Sequence, residues 1–128
     1  MKTAILSGIF SLFLVSFGAR SAPDPWVLVA AADDGNTKIL AKGTTVKKTD
    51  KGVSFVIQYL IRDTPSQNYE VKYFQAYISR KVCSDGYGSL SFTPISGNKN
   101  EGFTSEYVSD GASVSSSVGD NLCSLVNN

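Results

Sequence analysis

The segment Tyr69–Cys83, with the sequence YEVKYFQAYISRKVC, constrains the fold more than any other part of the chain. It is the longest alternation of β-branched, aromatic and polar residues, a pattern typical of a long central strand. It also ends on a cysteine, and the sequence contains one other, Cys123. We therefore predict an antiparallel sheet built around this strand, with the C-terminal segment held across it by a Cys83–Cys123 disulfide.

The N-terminal residues have the pattern of a secretory signal peptide. Met1 and Lys2 supply a positive start, and the apolar run from Ala4 to Phe17 is too short to span a bilayer comfortably. The pattern predicts an exported protein that has no membrane span once the signal is removed.

Small residues mark where the signal is expected to be cut. We place cleavage after Ser21, with Ala19 as the alternative, so that residues 1–21 are the signal peptide and residues 22–128 form one domain. No cysteine precedes Cys83, so lipid attachment at a mature N-terminal cysteine is not expected. The predicted location is the periplasm or the outer cell envelope.

The net charge limits the kinds of partner that are expected, and export favours a disulfide between the two cysteines. Cleavage removes Lys2 and Arg20, which lowers the formal charge from +1 to −1 and leaves no electrostatic reason to expect nucleic acid or anionic lipid. An exported chain favours a disulfide over two buried thiols, which is the alternative. Closing a loop of roughly 40 residues stabilises a fold by about 4 kcal/mol.

Five further segments have strand composition and are separated by turn residues. The strands are Trp26–Ala31, Thr37–Lys42, Val53–Arg62, Ser89–Ile95 and Phe103–Val108. The turns are Asp33–Asn36, Lys47–Gly52, Asp63–Asn68, Ser84–Gly88 and Gly97–Asn100. Gly43–Lys48 is ambiguous. Val53–Arg62 is the most hydrophobic of the strands and is expected in the middle of the sheet, covered on both faces.

The periodicity changes near the C-terminus, where a helix is predicted. Its apolar stripe consists of Val118, Leu122, Leu125 and Val126. Ser117 fits an N-terminal cap, with Asp120 in the first turn. Gly119 weakens such a helix by about 1 kcal/mol relative to alanine. Cys123 lies beside Leu122, so the helix can bury its apolar stripe and at the same time bring Cys123 to Cys83.

The alternation of the central strand divides its side chains between two faces. One face carries Phe74, Ala76, Ile78 and Val82, and the other carries Tyr69, Val71, Tyr73, Tyr77 and Cys83. Because Cys83 belongs to the tyrosine face, we predict that the C-terminal helix covers that face.

The residue types give little support for catalysis. Histidine is absent, and both cysteines are predicted to be bridged, which removes the usual general base, nucleophile and metal ligands. A carboxylate pair such as Glu101 and Glu106 could in principle serve the hydrolysis of a sugar bond, but two exposed acids near one hairpin are ordinary. Asp33–Asn36 resembles a calcium loop but lacks the downstream bidentate glutamate, so a plain turn is favoured. We predict a non-enzyme with no catalytic, cofactor or metal site.

Tyrosines are the better indication of function. Tyr69, Tyr73, Tyr77 and Tyr87 form the candidate partner surface, because tyrosine gives stiff, amphipathic contact area suited to binding protein. Packing of the central-strand stripe under the helix is nevertheless the favoured interpretation, because the helix has to cover that face. An edge strand is a further surface for a partner or a second copy, and a homodimer is left open.

Several short motifs, in this order and spacing, resemble the surface-adhesin protein E-like family of Gram-negative bacteria. They are Trp26–Val29, the acidic turn with Thr37-Lys38, Val46-Lys47-Lys48, the strand ending in Cys83, and Ser117-Val118-Gly119 before Cys123. The resemblance covers nearly all of residues 22–128. It implies an α+β fold: a six-stranded antiparallel sheet with a C-terminal helix held on one face by a disulfide.

The resemblance also implies an envelope protein, some relatives of which bind host matrix proteins. This chain departs from the family pattern at Pro65-Ser66-Gln67-Asn68, where the adhesin that names the family has basic residues. The predicted function is a protein-binding or adhesin-like module whose partner is a host matrix protein or an envelope enzyme. The alternative is a periplasmic inhibitor or immunity protein against an envelope-targeting enzyme.

Overall fold

A computed structural model describes residues 26–96 and 99–126. Six strands form one sheet in which every strand is antiparallel to the next along the chain. The strands are β1 (Trp26–Ala32), β2 (Thr37–Lys48), β3 (Gly52–Ile61), β4 (Glu70–Ser79), β5 (Tyr87–Pro94) and β6 (Phe103–Val108). Two α-helices follow β4 and β6: α1 (Arg80–Asp85) and α2 (Val114–Val126). The α+β architecture is as predicted, whereas the signal peptide and part of the Gly97–Asn100 turn lie outside the described residues.

Register aligns the apolar residues of successive strands on one side of the sheet. Ala41 pairs with Ile57, and Ile57 pairs with Phe74, and all three are buried. This row belongs to a core that also contains residues of β1, β5 and β6. Burying side chains of this kind stabilises the fold by about 1.5–3 kcal/mol each.

Helix α2 covers this side of the sheet. The hydroxyl of Ser113 accepts a hydrogen bond from the backbone N–H of Ser116 at 3.0 Å, so the helix begins at Val114 and not after Ser117 as predicted. Val118 and Leu122 are 0% exposed within the core. Because α2 contacts both edge strands, β1 and β6, the sheet curls around it.

The prediction that α2 covers the tyrosine face was wrong. The buried residues of β4 are Phe74, Ala76 and Ile78, whereas Tyr73 and Tyr77 are exposed on the opposite side. A buried tyrosine needs a hydrogen-bond partner for its hydroxyl, while the Phe74 stripe carries no polar atom. The helix therefore packs on the face with the lower desolvation cost.

The central strand is also shorter than predicted. It ends at Ser79, whose hydroxyl accepts a hydrogen bond from the backbone N–H of Val82 at 3.1 Å and so caps α1. Gly86 ends this helix in the left-handed region, with φ of 83°. Cys83 therefore lies on α1, and its disulfide to Cys123 joins two helices across a sequence separation of 40.

The remaining differences are in strand boundaries. Gly43–Lys48, which was ambiguous, continues β2, with an irregular register between Lys42 and Lys47. At this irregularity the hydroxyl of Thr45 accepts a hydrogen bond from the backbone N–H of Val56 at 2.8 Å. Strand β3 is third in the sheet, but its second face is only half-buried, so full coverage of both faces was wrong.

Candidate docking face

The side of the sheet opposite α2 exposes a continuous apolar surface on β1–β4, which we call the open face. Its apolar members are Trp26, Leu28, Leu40, Val56, Leu60, Val71, Tyr73 and Tyr77. Leu28 is 54% exposed and Tyr73 is 45% exposed, and no described element packs over them. Large exposed apolar patches that are bordered by polar residues mark interaction surfaces.

Two aromatic residues from distant strands meet on the open face. The rings of Trp26 on β1 and Tyr73 on β4 have their centroids 6.0 Å apart, although β2 and β3 lie between their strands. The side-chain amide of Gln58 on β3 donates a hydrogen bond to the Tyr73 hydroxyl at 3.4 Å. These contacts position the Tyr73 ring without burying it.

Lysines accompany the aromatic residues on β2. The ammonium group of Lys42 lies 5.7 Å from the centre of the Trp26 ring, and that of Lys38 lies 5.6 Å from the centre of the Tyr69 ring. Both distances are within the range of a cation–π interaction. Lys47 shares this side, because it pairs with Ser54, which in turn pairs with Tyr77.

The four predicted tyrosines do not form one site. Tyr73 and Tyr77 lie together on the open face, whereas Tyr87 is 68% exposed near the start of β5, where it pairs with Val108 of β6. Its position is at the far end of the sheet from Tyr73. Tyr87 is therefore not part of the open face as defined here.

Tyr69 has a structural role. Its hydroxyl donates a hydrogen bond to the carbonyl oxygen of Gly35 at 2.6 Å, which ties the β3–β4 connection to the turn after β1. The guanidinium of Arg62 lies 4.3 Å from the centre of its ring and also donates to the side-chain oxygen of Asn36 at 3.1 Å. Tyr69 thus anchors one end of the open face.

Sequence reasoning missed Trp26, Lys38 and Lys42 as members of this surface. The alternation of Lys38, Leu40 and Lys42 was visible, but an alternation does not say which face of a sheet it joins. Only the register across β1–β4 brings these residues beside Tyr73.

A separate cleft opens on the helix side of the sheet, beyond the end of α2. Its volume is about 470 Å³, and it is lined by Tyr59, Ile61, Lys72, Phe74, Glu101 and Phe103. Phe103 stacks on Phe92 with a centroid distance of 4.7 Å. Glu106 pairs with Ser89 on the opposite side of the sheet, so Glu101 and Glu106 do not face one another across a common site.

The described residues were also compared with the requirements of a metal site, a membrane-spanning helix and a calcium-binding turn. Residues 26–96 and 99–126 hold no group of three or more histidine, cysteine or acidic residues placed to bind a metal ion. Over the same ranges, no helix has the length and apolarity needed to cross a membrane. Asp33–Gly35 forms the tight turn between β1 and β2, with φ of 56°, 56° and 88° at its three residues.

Comparison of the chain with protein-family models, with curated proteins and with solved structures found no match.

Proposed function

We propose that the protein is a non-enzymatic binding module of the cell envelope, and that it docks a protein partner on the open face. The observation that carries this proposal is the contact between the half-buried Trp26 and the exposed Tyr73, whose ring centroids lie 6.0 Å apart on the side of the sheet opposite α2. Tryptophan, tyrosine and arginine dominate the energetic centres of protein interfaces. A rigid sheet also presents them at a low cost in conformational entropy.

The location in the envelope is supported by two features. The Cys83–Cys123 disulfide is compatible with an exported chain, and Met1–Ser21 has the pattern of a signal peptide. An adhesin-like role would follow if the partner is a host matrix protein.

Affinity capture with matched variants tests the proposal. The purified chain would be immobilised and exposed to envelope extract and to host matrix proteins in parallel. The double variant Leu28→Ser/Tyr73→Ser removes apolar area from the open face, and Tyr87→Ser/Val108→Ser removes comparable exposed area outside it. We expect the first variant to capture about tenfold less protein than the wild type, because two interface contacts are removed.

The control variant is expected to capture as much protein as the wild type. Equal capture by the wild type and by Leu28→Ser/Tyr73→Ser would exclude the open face as the docking surface. The identity of the captured protein separates the two functional classes. A matrix protein indicates an adhesin-like module, and an enzyme that the wild-type chain inhibits indicates the inhibitor alternative.

A further inference from the structure

Lysines are concentrated on the open face, and the one strand carboxylate on the same side of the sheet among the described residues, Glu106, lies on β6, outside β1–β4. Lys38, Lys42 and Lys47 lie on the open face, and Arg62 lies at its end over the Tyr69 ring. The only carboxylate within β1–β4 is Glu70. It lies on the helix side, where it pairs with Lys72 at 4.0 Å. The open face is therefore positive even though the chain as a whole is close to neutral.

Two lysines of the open face, Lys38 and Lys42, lie over aromatic rings and not beside acids. Within the described residues, ion pairs link Lys72 to Glu70 and Lys81 to Asp85, and none involves Lys38, Lys42 or Lys47. A cation–π contact leaves the full charge on the ammonium group, so a carboxylate can still bind there. The result is a fixed and unneutralised positive potential beside the Trp26–Tyr73 pair.

Apolar area on the same surface distinguishes between classes of anion. Leu28 and Val71 are exposed close to the lysines of β2. Leu28 pairs with Leu40, which lies between Lys38 and Lys42, and Val71 pairs with Leu60, which pairs with Lys38. A duplex nucleic acid, a sulfated polysaccharide or a lipid headgroup would pair with the ammonium groups but leave Leu28 and Val71 in contact with water. A protein segment that carries both acidic and apolar side chains can cover both.

We propose that the partner presents an acidic protein segment, with apolar residues interspersed among its carboxylates, to the open face. This inference rests on the proposed function and specifies the chemistry of the partner. Lys38, Lys42 and Lys47 would pair with the carboxylates, while Trp26, Leu28 and Tyr73 would contact the apolar residues.

A fluorescence titration tests this inference, because Trp26 is the only tryptophan of the chain and lies on the open face. The probe is a synthetic peptide that repeats Glu-Glu-Leu-Gly, and its uncharged match repeats Gln-Gln-Leu-Gly. Heparin, single-stranded DNA and phosphatidylglycerol vesicles are titrated in parallel. We expect the acidic peptide to change the emission of Trp26 with an affinity that falls as salt is added, and we expect the uncharged peptide to bind more weakly.

Two triple variants of equal charge locate the site. Lys38→Gln/Lys42→Gln/Lys47→Gln is expected to weaken binding of the acidic peptide by about tenfold. Lys48→Gln/Lys51→Gln/Lys81→Gln removes the same charge away from the open face, and we expect less than about a twofold change. Thermal unfolding of both variants checks that each is folded.

Three outcomes would overturn the inference: no binding of the acidic peptide at low salt, equal weakening in both variants, or binding only of heparin, DNA or vesicles. Its failure is distinguishable from that of the proposed function. If Leu28→Ser/Tyr73→Ser abolishes capture of a protein while the acidic peptide does not bind, the docking face stands and the partner is not acidic.

Discussion

The ring of Tyr107 on β6 packs directly against α2 at Gly119. A Cβ atom at Gly119 would lie 2.6 Å from Cε1 of that ring, closer than non-bonded carbon atoms approach. The Tyr107 hydroxyl donates a hydrogen bond at 2.7 Å to Asp120, the next residue of the helix. The glycine that weakens α2 as an isolated helix is thus the residue that lets α2 approach β6.

Gly119→Ala is expected to destabilise the protein, although alanine is the better helix former by about 1 kcal/mol. The added methyl group must displace the Tyr107 ring or the helix, and overpacking of this kind costs about 1–3 kcal/mol. Urea unfolding of the variant measures the difference. Ser124→Ala is the matched control on the exposed side of α2 and is expected to be close to neutral. A Gly119→Ala variant as stable as the wild type would contradict the packing described here.

Stability in alkaline solution should depend on Tyr107. Burial, followed by the hydrogen bond to Asp120, raises the pKa of Tyr107 above its usual value of 10.0. In the unfolded chain this tyrosine ionises near pH 10, so its stabilising effect is complete below about pH 10 and is lost as the pH rises through the higher pKa of the folded state.

Tyr107→Phe tests this dependence. The variant is expected to be less stable at neutral pH by about 1 kcal/mol, because Asp120 loses a hydrogen-bond donor. Its stability should fall less steeply than that of the wild type above about pH 10. The two proteins differ at residue 107 alone, so the difference between the two unfolding curves reports Tyr107. Parallel curves at alkaline pH would show that the folded state does not perturb this group.

The disulfide is expected to supply a large part of the stability of this small domain. It closes a loop with a sequence separation of 40 and ties α1 to α2, and the chain-entropy model assigns about 4 kcal/mol to such a loop. Reductant should lower the free energy of unfolding of the wild type by this amount, and its unfolding midpoint should fall with it. Cys83→Ser/Cys123→Ser should start from the lower value and show no response to reductant. A wild-type midpoint that reductant leaves unchanged would contradict this expectation.

Local patterns were sufficient to predict the six strands and part of the turns between them. Asp33–Gly35 and Asp50-Lys51 lie between strands as the turn residues indicate, whereas Lys47 and Lys48 belong to β2, and Ser84 and Asp85 belong to α1. The segment Phe103–Val108 matches its predicted bounds. Each of these features depends on a few adjacent residues, whose φ preferences and alternation are legible without knowledge of the fold.

The face covered by α2 was not legible, because both stripes of β4 are rich in apolar and aromatic residues. The prediction assumed that Cys83 lies on the same face of the strand as Tyr73 and Tyr77. This alternation of faces stops at Ser79, because α1 begins at Arg80. Ser79 and Gly86 flank α1 as its N-terminal and C-terminal cap residues. The sequence prediction did not use this signal. The lysines of the open face required the register of four strands, which is a non-local property.

Tyr69 and Tyr73 should respond differently to the loss of a hydroxyl or a ring. Tyr69→Phe removes the 2.6 Å hydrogen bond to Gly35 while leaving the ring beneath Arg62, so we expect a loss of about 1 kcal/mol in stability and no change in binding of a partner. Tyr73→Ala removes an exposed ring, so we expect binding to weaken while the unfolding midpoint changes little. Chemical denaturation and the capture assay, applied to both variants, separate the two roles. If Tyr69→Phe weakens capture as much as Tyr73→Ala does, Tyr69 contacts the partner directly and the open face extends to the end of β3.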